Sequence, residues 1–131
     1  MARIARENDQ IVGMDTHIVL MPVPLLPAPM PIPLPFVGPI TKSLAPTVFA
    51  DGKAVAVVGS RANNTPGHVA PGGQFLNPPE DSAEVVEGSS SVKADGKAIA
   101  RIGDAATSCN DMGTSKNAHV VPTGKTTCSA G

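Results

Sequence analysis

Downstream of a proline-rich stretch, apolar and polar positions along the chain alternate with the period of two that marks β-strands. Val48, Ala50, Val55 and Val57 alternate around Asp51-Gly52. That dipeptide suits a type I′ hairpin, because both central residues must take positive φ. Val92, Ala94, Ala98, Ile99 and Ile102 rebuild the same pattern around Asp95-Gly96. Residues 51–59 thus return as residues 95–103, and between 48–59 and 92–103 eight of twelve positions are identical. Two copies of one supersecondary unit predict a pseudosymmetric object. Between and after the copies, Asn63-Asn64, Thr65-Pro66-Gly67 and Pro71-Gly72-Gly73 predict a loop over residues 60–74. A short strand is expected over 83–87, a brief helical turn opening at Ala105-Ala106, and a weak strand over 119–121. The expected fold class is all-β, a compact structure of short hairpins with very little helix.

One segment imitates a membrane span. Residues 18–40 carry no charge over 23 positions, long enough to cross a bilayer as a helix. Eight of them are proline, at 22, 24, 27, 29, 31, 33, 35 and 39, and each interior helical proline costs about 3 kcal/mol and a hydrogen bond. A spanning helix is excluded, and with it an integral membrane protein. Val23, Leu25 and then Met30, Ile32 and Leu34, set against the prolines, predict an extended, polyproline-like strand over 21–39 with its apolar side on a surface. Glu7 and Asp9 stand where a signal peptide would carry positive charge, so no signal peptide is expected and the chain reads as made in the cytoplasm.

Composition makes the core thin. The 131 residues suit a single domain over 1–131, with repeat units at about 47–60 and 91–104, but there is no Trp or Tyr and there are only three Phe. Gly (13) and Pro (14) together exceed a fifth of the chain, which favours turns over helices. A core this small calls for a disulfide or a structural metal. A net charge of −1 gives no basic footprint, and nucleic acid is set aside as a partner.

The scarce metal-binding residue types follow the β units. Val58-Gly59 leads to His68, Ile102-Gly103 leads to Cys109, and a degenerate third unit at Val12-Gly13 leads to His17. Arranged about a pseudo-threefold axis, these would present two imidazoles and a thiolate, a donor set suited to zinc. A tetrahedral structural site needs a fourth ligand, for which His119 is the candidate and Cys128, in a Thr/Ser/Gly tail, the reserve. A Cys109–Cys128 disulfide competes for the same thiols, but a chain without a secretory signal is expected to keep them reduced.

These residues also carry a family resemblance. Gly96-Lys97-Ala98-Ile99-Ala100-Arg101-Ile102-Gly103-Asp104 resembles the signature of PAAR-repeat proteins, in which Pro-Ala-Ala-Arg stands between Gly-Lys and Val-Gly-Asp. Ala100 and Arg101 match; Ala98 and Ile99 replace the proline and first alanine, and Val57 stands in place of the arginine in the first unit. Asp15-Thr16-His17-Ile18-Val19, the run through Pro35-Phe36-Val37-Gly38, Asn64-Thr65-Pro66-Gly67-His68 and Thr107-Ser108-Cys109-Asn110-Asp111 are similar to the PAAR-like subgroup in order and spacing. Where many such relatives place a His before the Phe of the proline-rich run, this chain has Pro35, which makes His119 the expected substitute.

The resemblance implies a β cone with a metal near its apex, zinc or alternatively iron. It also implies a structural, non-enzymatic role as a tip that sharpens the trimeric β-helical spike of a contractile injection system. Such systems include type VI secretion machines, extracellular contractile particles and phage tails. One copy would sit on each trimer, matching three similar faces to a true threefold. The tip would be assembled on the particle and delivered outward or into a target cell. No fused effector domain is expected over 1–131, so effectors would attach separately, through the proline-rich segment or the loop at 72–81. Two other classes compete. A small zinc-dependent hydrolase would use Asp15, Asp104 or Asp111 as general base, but there is no His-Glu-x-x-His pattern and little bulk to wall a pocket. That hydrolase would also leave the repeat unexplained, and a proline-rich adaptor that binds partner domains would expose residues 18–40 to protease where a packed strand would resist it.

Overall fold

A computed structural model describes residues 2–22, 28–70, 72–109, 111, 116–124 and 129–130. Within them the chain forms β1 (Ala2–Arg3), β2 (Gln10–Met21), β3 (Ala28–Lys42), β4 (Phe49–Ala50), β5 (Lys53–Ala54), β6 (Arg61–Asn63) and β7 (Gln74–Phe75). It continues with β8 (Ser82–Val85), β9 (Lys93–Ala94), β10 (Lys97–Ala98), β11 (Ala105–Thr107), β12 (Ala118–Val121) and β13 (Ser129–Ala130). The structure is all-β, with no helix among the described residues and therefore none long and apolar enough to cross a membrane.

Six strands close on themselves in the order β2-β3-β6-β8-β11-β12, with β12 returning to β2, to give a barrel-like cone. Antiparallel pairing runs throughout, and β7 extends β2 beyond the closed ring at Val19 and Leu20. Two expectations are corrected here. Residues 61–63, read as loop, form β6, and Ala105-Ala106, read as a helical turn, belongs to strand β11. Each strand has only three residues with a single alanine, Ala62 or Ala106, buried, too short to declare a period. The strand expected at 83–87 is Ser82–Val85, and the weak one at 119–121 is Ala118–Val121.

The pseudosymmetry lies in the segments that lead into β2, β6 and β11. Ile4-Ala5-Arg6, Val55-Ala56-Val57 and Ile99-Ala100-Arg101 form a closed triangle. The N–H of Ala5 donates to the carbonyl of Ala100, that of Ala100 to Ala56, and that of Ala56 to Ala5, each at 2.9 Å. All three alanines are fully buried, where a larger side chain would collide across the axis. Each arm then turns identically. The N–H groups of Arg6, Val57 and Arg101 donate to the side chains of Asp9, Ser60 and Asp104, and Asn8, Gly59 and Gly103 supply the positive φ. The third unit is therefore at residues 4–9, not at Val12-Gly13. Its glycine is replaced by Asn8, a residue that tolerates the left-handed region. Its hairpin is β1 with β13, paired Ala2↔Ala130 as Ala50 pairs with Lys53 and Ala94 with Lys97.

The core between these layers is built from small residues. Ala5, Ala56, Ala62, Ala83, Ala100, Ala106 and Ala118 pack with Ile11, Phe36, Ile40, Val85 and Val120. Residues 28–39 of the proline-rich segment make up most of β3, in register with β2 from Pro39↔Gln10 to Ala28↔Met21. Its prolines sit at odd positions. The N–H of Val37, also odd, points away from β2, to Asn64, whereas that of Ile40 bonds to Asp9. Pro29, Pro31, Pro33, Pro35 and Pro39 therefore lack N–H groups only on the side away from β2, and the ladder to β2 loses nothing. Val23, Leu25, Pro24 and Pro27 lie outside the described residues.

Candidate metal centre

Three strands that leave the triangular layer, β2, β6 and β11, carry or lead to the candidate donors. Period-two alternation puts Asp15 and His17 on the same inward face of β2, both fully buried. His68 follows β6 through a turn fixed by Asp81, whose carboxylate accepts the His68 N–H at 2.9 Å. Cys109 follows β11 and is a free thiol. The donor atoms of Asp15, His17, His68 and Cys109 all lie within 4.8 Å of one another, a group that could hold a metal ion.

Individual separations fit such a role. Asp15 Oδ2 is 2.8 Å from His68 Nε2, 3.1 Å from Cys109 Sγ and 3.9 Å from His17 Nε2, and Cys109 Sγ is 3.6 Å from His17 Nε2. A tetrahedron with bonds of about 2.0–2.3 Å has edges of about 3.3–3.8 Å, within the spread of these values. His17 Nδ1 is buried without a well-formed hydrogen bond, although Asp111 Oδ1 is 3.2 Å away. A metal on Nε2 would leave the ring proton at Nδ1, facing that carboxylate, the usual outer partner of a ligating histidine. Asp111 is itself anchored to β2, accepting the Ile18 N–H and donating its own N–H to Thr16. His68 Nδ1 faces the Asn64 amide at 3.1 Å. Two of the three phenylalanines wall the imidazoles: Phe75 lies edge-on to His17 at 5.6 Å and Phe36 to His68 at 6.4 Å.

Burial, and then the Asp15 carboxylate beside it, push the Cys109 thiol from an ordinary 9.0 up to about 12. Without metal it stays protonated at neutral pH and donates to Asp15. A raised folded-state value contributes stability that is complete below pH 9 and lost as pH rises toward 12. Chelator-treated protein is thus expected to show a melting temperature that falls across that window, and Cys109→Ser to flatten the fall; equal slopes would contradict the assignment.

A family model for the PAAR motif matches residues 36–112. The chain belongs to the PAAR-motif family. No curated protein and no solved structure matches it. The PAAR span includes both sequence repeats, His68 and Cys109, while Asp15 and His17 lie ahead of it. PAAR-motif proteins are structural spike tips of contractile injection systems and associate with a spike protein. Arg101, the motif arginine, lies against Asp104 with Nη2 2.9 Å from Oδ1, bracing the carboxylate that closes its own turn.

Of the residues singled out from sequence, the structure brings His17, His68 and Cys109 together but not His119. Ala118 and Val120 face the core, so alternation along β12 turns His119 outward, where it is exposed opposite Val12 and Ala105. The fourth member of the cluster is Asp15, which the sequence offered only as a general base. The signal that could have found it is its spacing of two from His17 on one strand. Cys128 lies outside the described residues.

Proposed function

We propose that this PAAR protein caps the trimeric β-helical spike of a contractile injection system, one copy per trimer, as a stiff puncturing tip. Asp15, His17, His68 and Cys109 hold a structural zinc near its apex. The observation that carries this reading is the closed triangle of Ala5, Ala56 and Ala100, which gives a single polypeptide three equivalent arms. A homotrimer offers three identical edges about one axis, and only a partner with matching arms can contact all of them alike. Beside the triangle, Ile4, Val55, Val57 and Ile99 are buried and pack with Val48 and Val92 into a second apolar cluster, which would stiffen the end that meets the spike.

Zinc suits a donor set of two imidazoles, a thiolate and a carboxylate, and supplies cross-linking where alanines leave little surface to pack. The chain would be made in the bacterial cytoplasm, mounted on the particle and delivered with it, and effectors would attach as separate proteins. Mixing the purified protein with the trimeric spike encoded beside it, followed by native mass spectrometry, should show one copy per trimer. Three copies, or no complex, would overturn the tip reading.

A further inference from the structure

Asp15 is a fully buried carboxylate whose two oxygens face different surroundings. Oδ2 looks into the donor group, toward His68, Cys109 and His17. Oδ1 looks the other way and receives two hydrogen bonds, one from the Ser108 hydroxyl and one from Asn117 Nδ2 at 3.1 Å. A carboxylate oxygen has two lone pairs in its plane, so two donors use the capacity of Oδ1. The donors are themselves fixed. Asn117 Oδ1 accepts the Ser108 N–H at 3.1 Å while its Nδ2 also reaches the Met14 carbonyl at 3.0 Å, which sets the amide orientation and ties it to β2. Ser108 directly follows β11 and precedes Cys109, so the segment that delivers the thiolate also holds the carboxylate.

We propose that Ser108 and Asn117 are positioning residues that restrict Asp15 to one-oxygen ligation, which closes the centre at four donor atoms. The inference rests on the metal reading above and sharpens it. A carboxylate free to turn could offer both oxygens, and a fifth donor atom would loosen the tetrahedral arrangement that structural zinc adopts. With Oδ1 engaged, Asp15 supplies one atom and two imidazoles and a thiolate supply the rest. No position is then left for water, which separates a structural centre from a hydrolytic one.

Cobalt(II) chloride added to the chelator-treated, full-length protein reads the coordination number directly, because four-coordinate cobalt absorbs intensely in the visible and five-coordinate cobalt weakly. Wild type should show the intense bands together with a thiolate-to-cobalt charge-transfer band from Cys109. In the Ser108→Ala/Asn117→Ala double variant the visible bands should weaken several-fold while the charge-transfer band persists. If the double variant does not fold, Ser108→Ala and Asn117→Ala singly should each weaken the visible bands. Variants that keep wild-type intensity would overturn the proposal and leave the metal reading standing. A wild type with weak, five-coordinate absorption would also overturn it, and a wild type that takes up no cobalt would remove the metal reading itself.

Discussion

Replacing His17 with alanine is expected to strip the metal from the purified protein and to lower its melting temperature by roughly 10–20 °C, the shift that several kcal/mol produces in a domain of this size. Two losses combine. The fully buried ring leaves a cavity between His68 and Phe75, a change that costs about 2–5 kcal/mol in ordinary cores. The larger part comes from the ion. Structural metal binding is folding free energy, because the unfolded chain presents no preformed site. The two parts separate when the melts are repeated with chelator, since wild type should then fall most of the way toward the variant. Metal content by elemental mass spectrometry should be one per chain in wild type and near zero in His17→Ala. His119→Ala is the matched control and should keep both metal and melting temperature, because that ring is exposed on β12. Wild type that purifies without metal and melts unchanged in chelator would sink the structural-metal reading.

Among the described glycines, Gly38→Ala is expected to be the most damaging substitution by alanine. A Cβ at Gly38 would stand 2.0 Å from the Asn63 carbonyl oxygen and 2.6 Å from its carbon. Both are backbone atoms of β6, so no rotamer change relieves the clash and the seam between β3 and β6 must open. Overpacking of side chains costs about 1–3 kcal/mol, and a collision with backbone should reach or pass the upper end. The effect should travel to the metal. Asn64, the next residue, binds the Val37 N–H, faces His68 Nδ1 and reaches Asp81, so a displaced seam moves the His68 imidazole. Urea unfolding should show a lower midpoint, and metal affinity should fall with it. Gly124→Ala, where nothing lies within 4 Å, should leave both unchanged. A midpoint for Gly38→Ala within error of wild type would show that the seam yields more easily than its geometry implies.

Much of this could be read from the chain, for physical reasons. Asp51-Gly52 and Asp95-Gly96 declare hairpins because their backbone conformation excludes most other residues, and their repetition announces the arms of the triangle. The first arm was hidden because Asn8 does the work of a glycine and because β1 finds its partner in β13, at the far end of the sequence. No local pattern can show a pairing between residues so distant. Three of the four clustered donors stood out as rare residue types, but Asp15 did not, since aspartate is common and its role depends on sharing a strand face with His17. Ser108 and Asn117 are plainer still, and only the fold places them against Asp15.

Ring closure also has a consequence for how the molecule is made. The ring shuts when residues 118–121 reach residues 10–13, so one edge of β2 must wait until most of the chain has left the ribosome. During that interval the nascent β2-β3 pair is an exposed ribbon, uncharged over residues 18–40, the kind that adds strands from neighbouring copies. Its two borders are unequal in this respect. On β3 the prolines remove the donors a foreign strand would need, whereas on β2 the donors remain available for β12. The same residues that prevent a membrane helix thus leave the growing pair with one open border, the one on which the closing strand of the ring, β12, arrives.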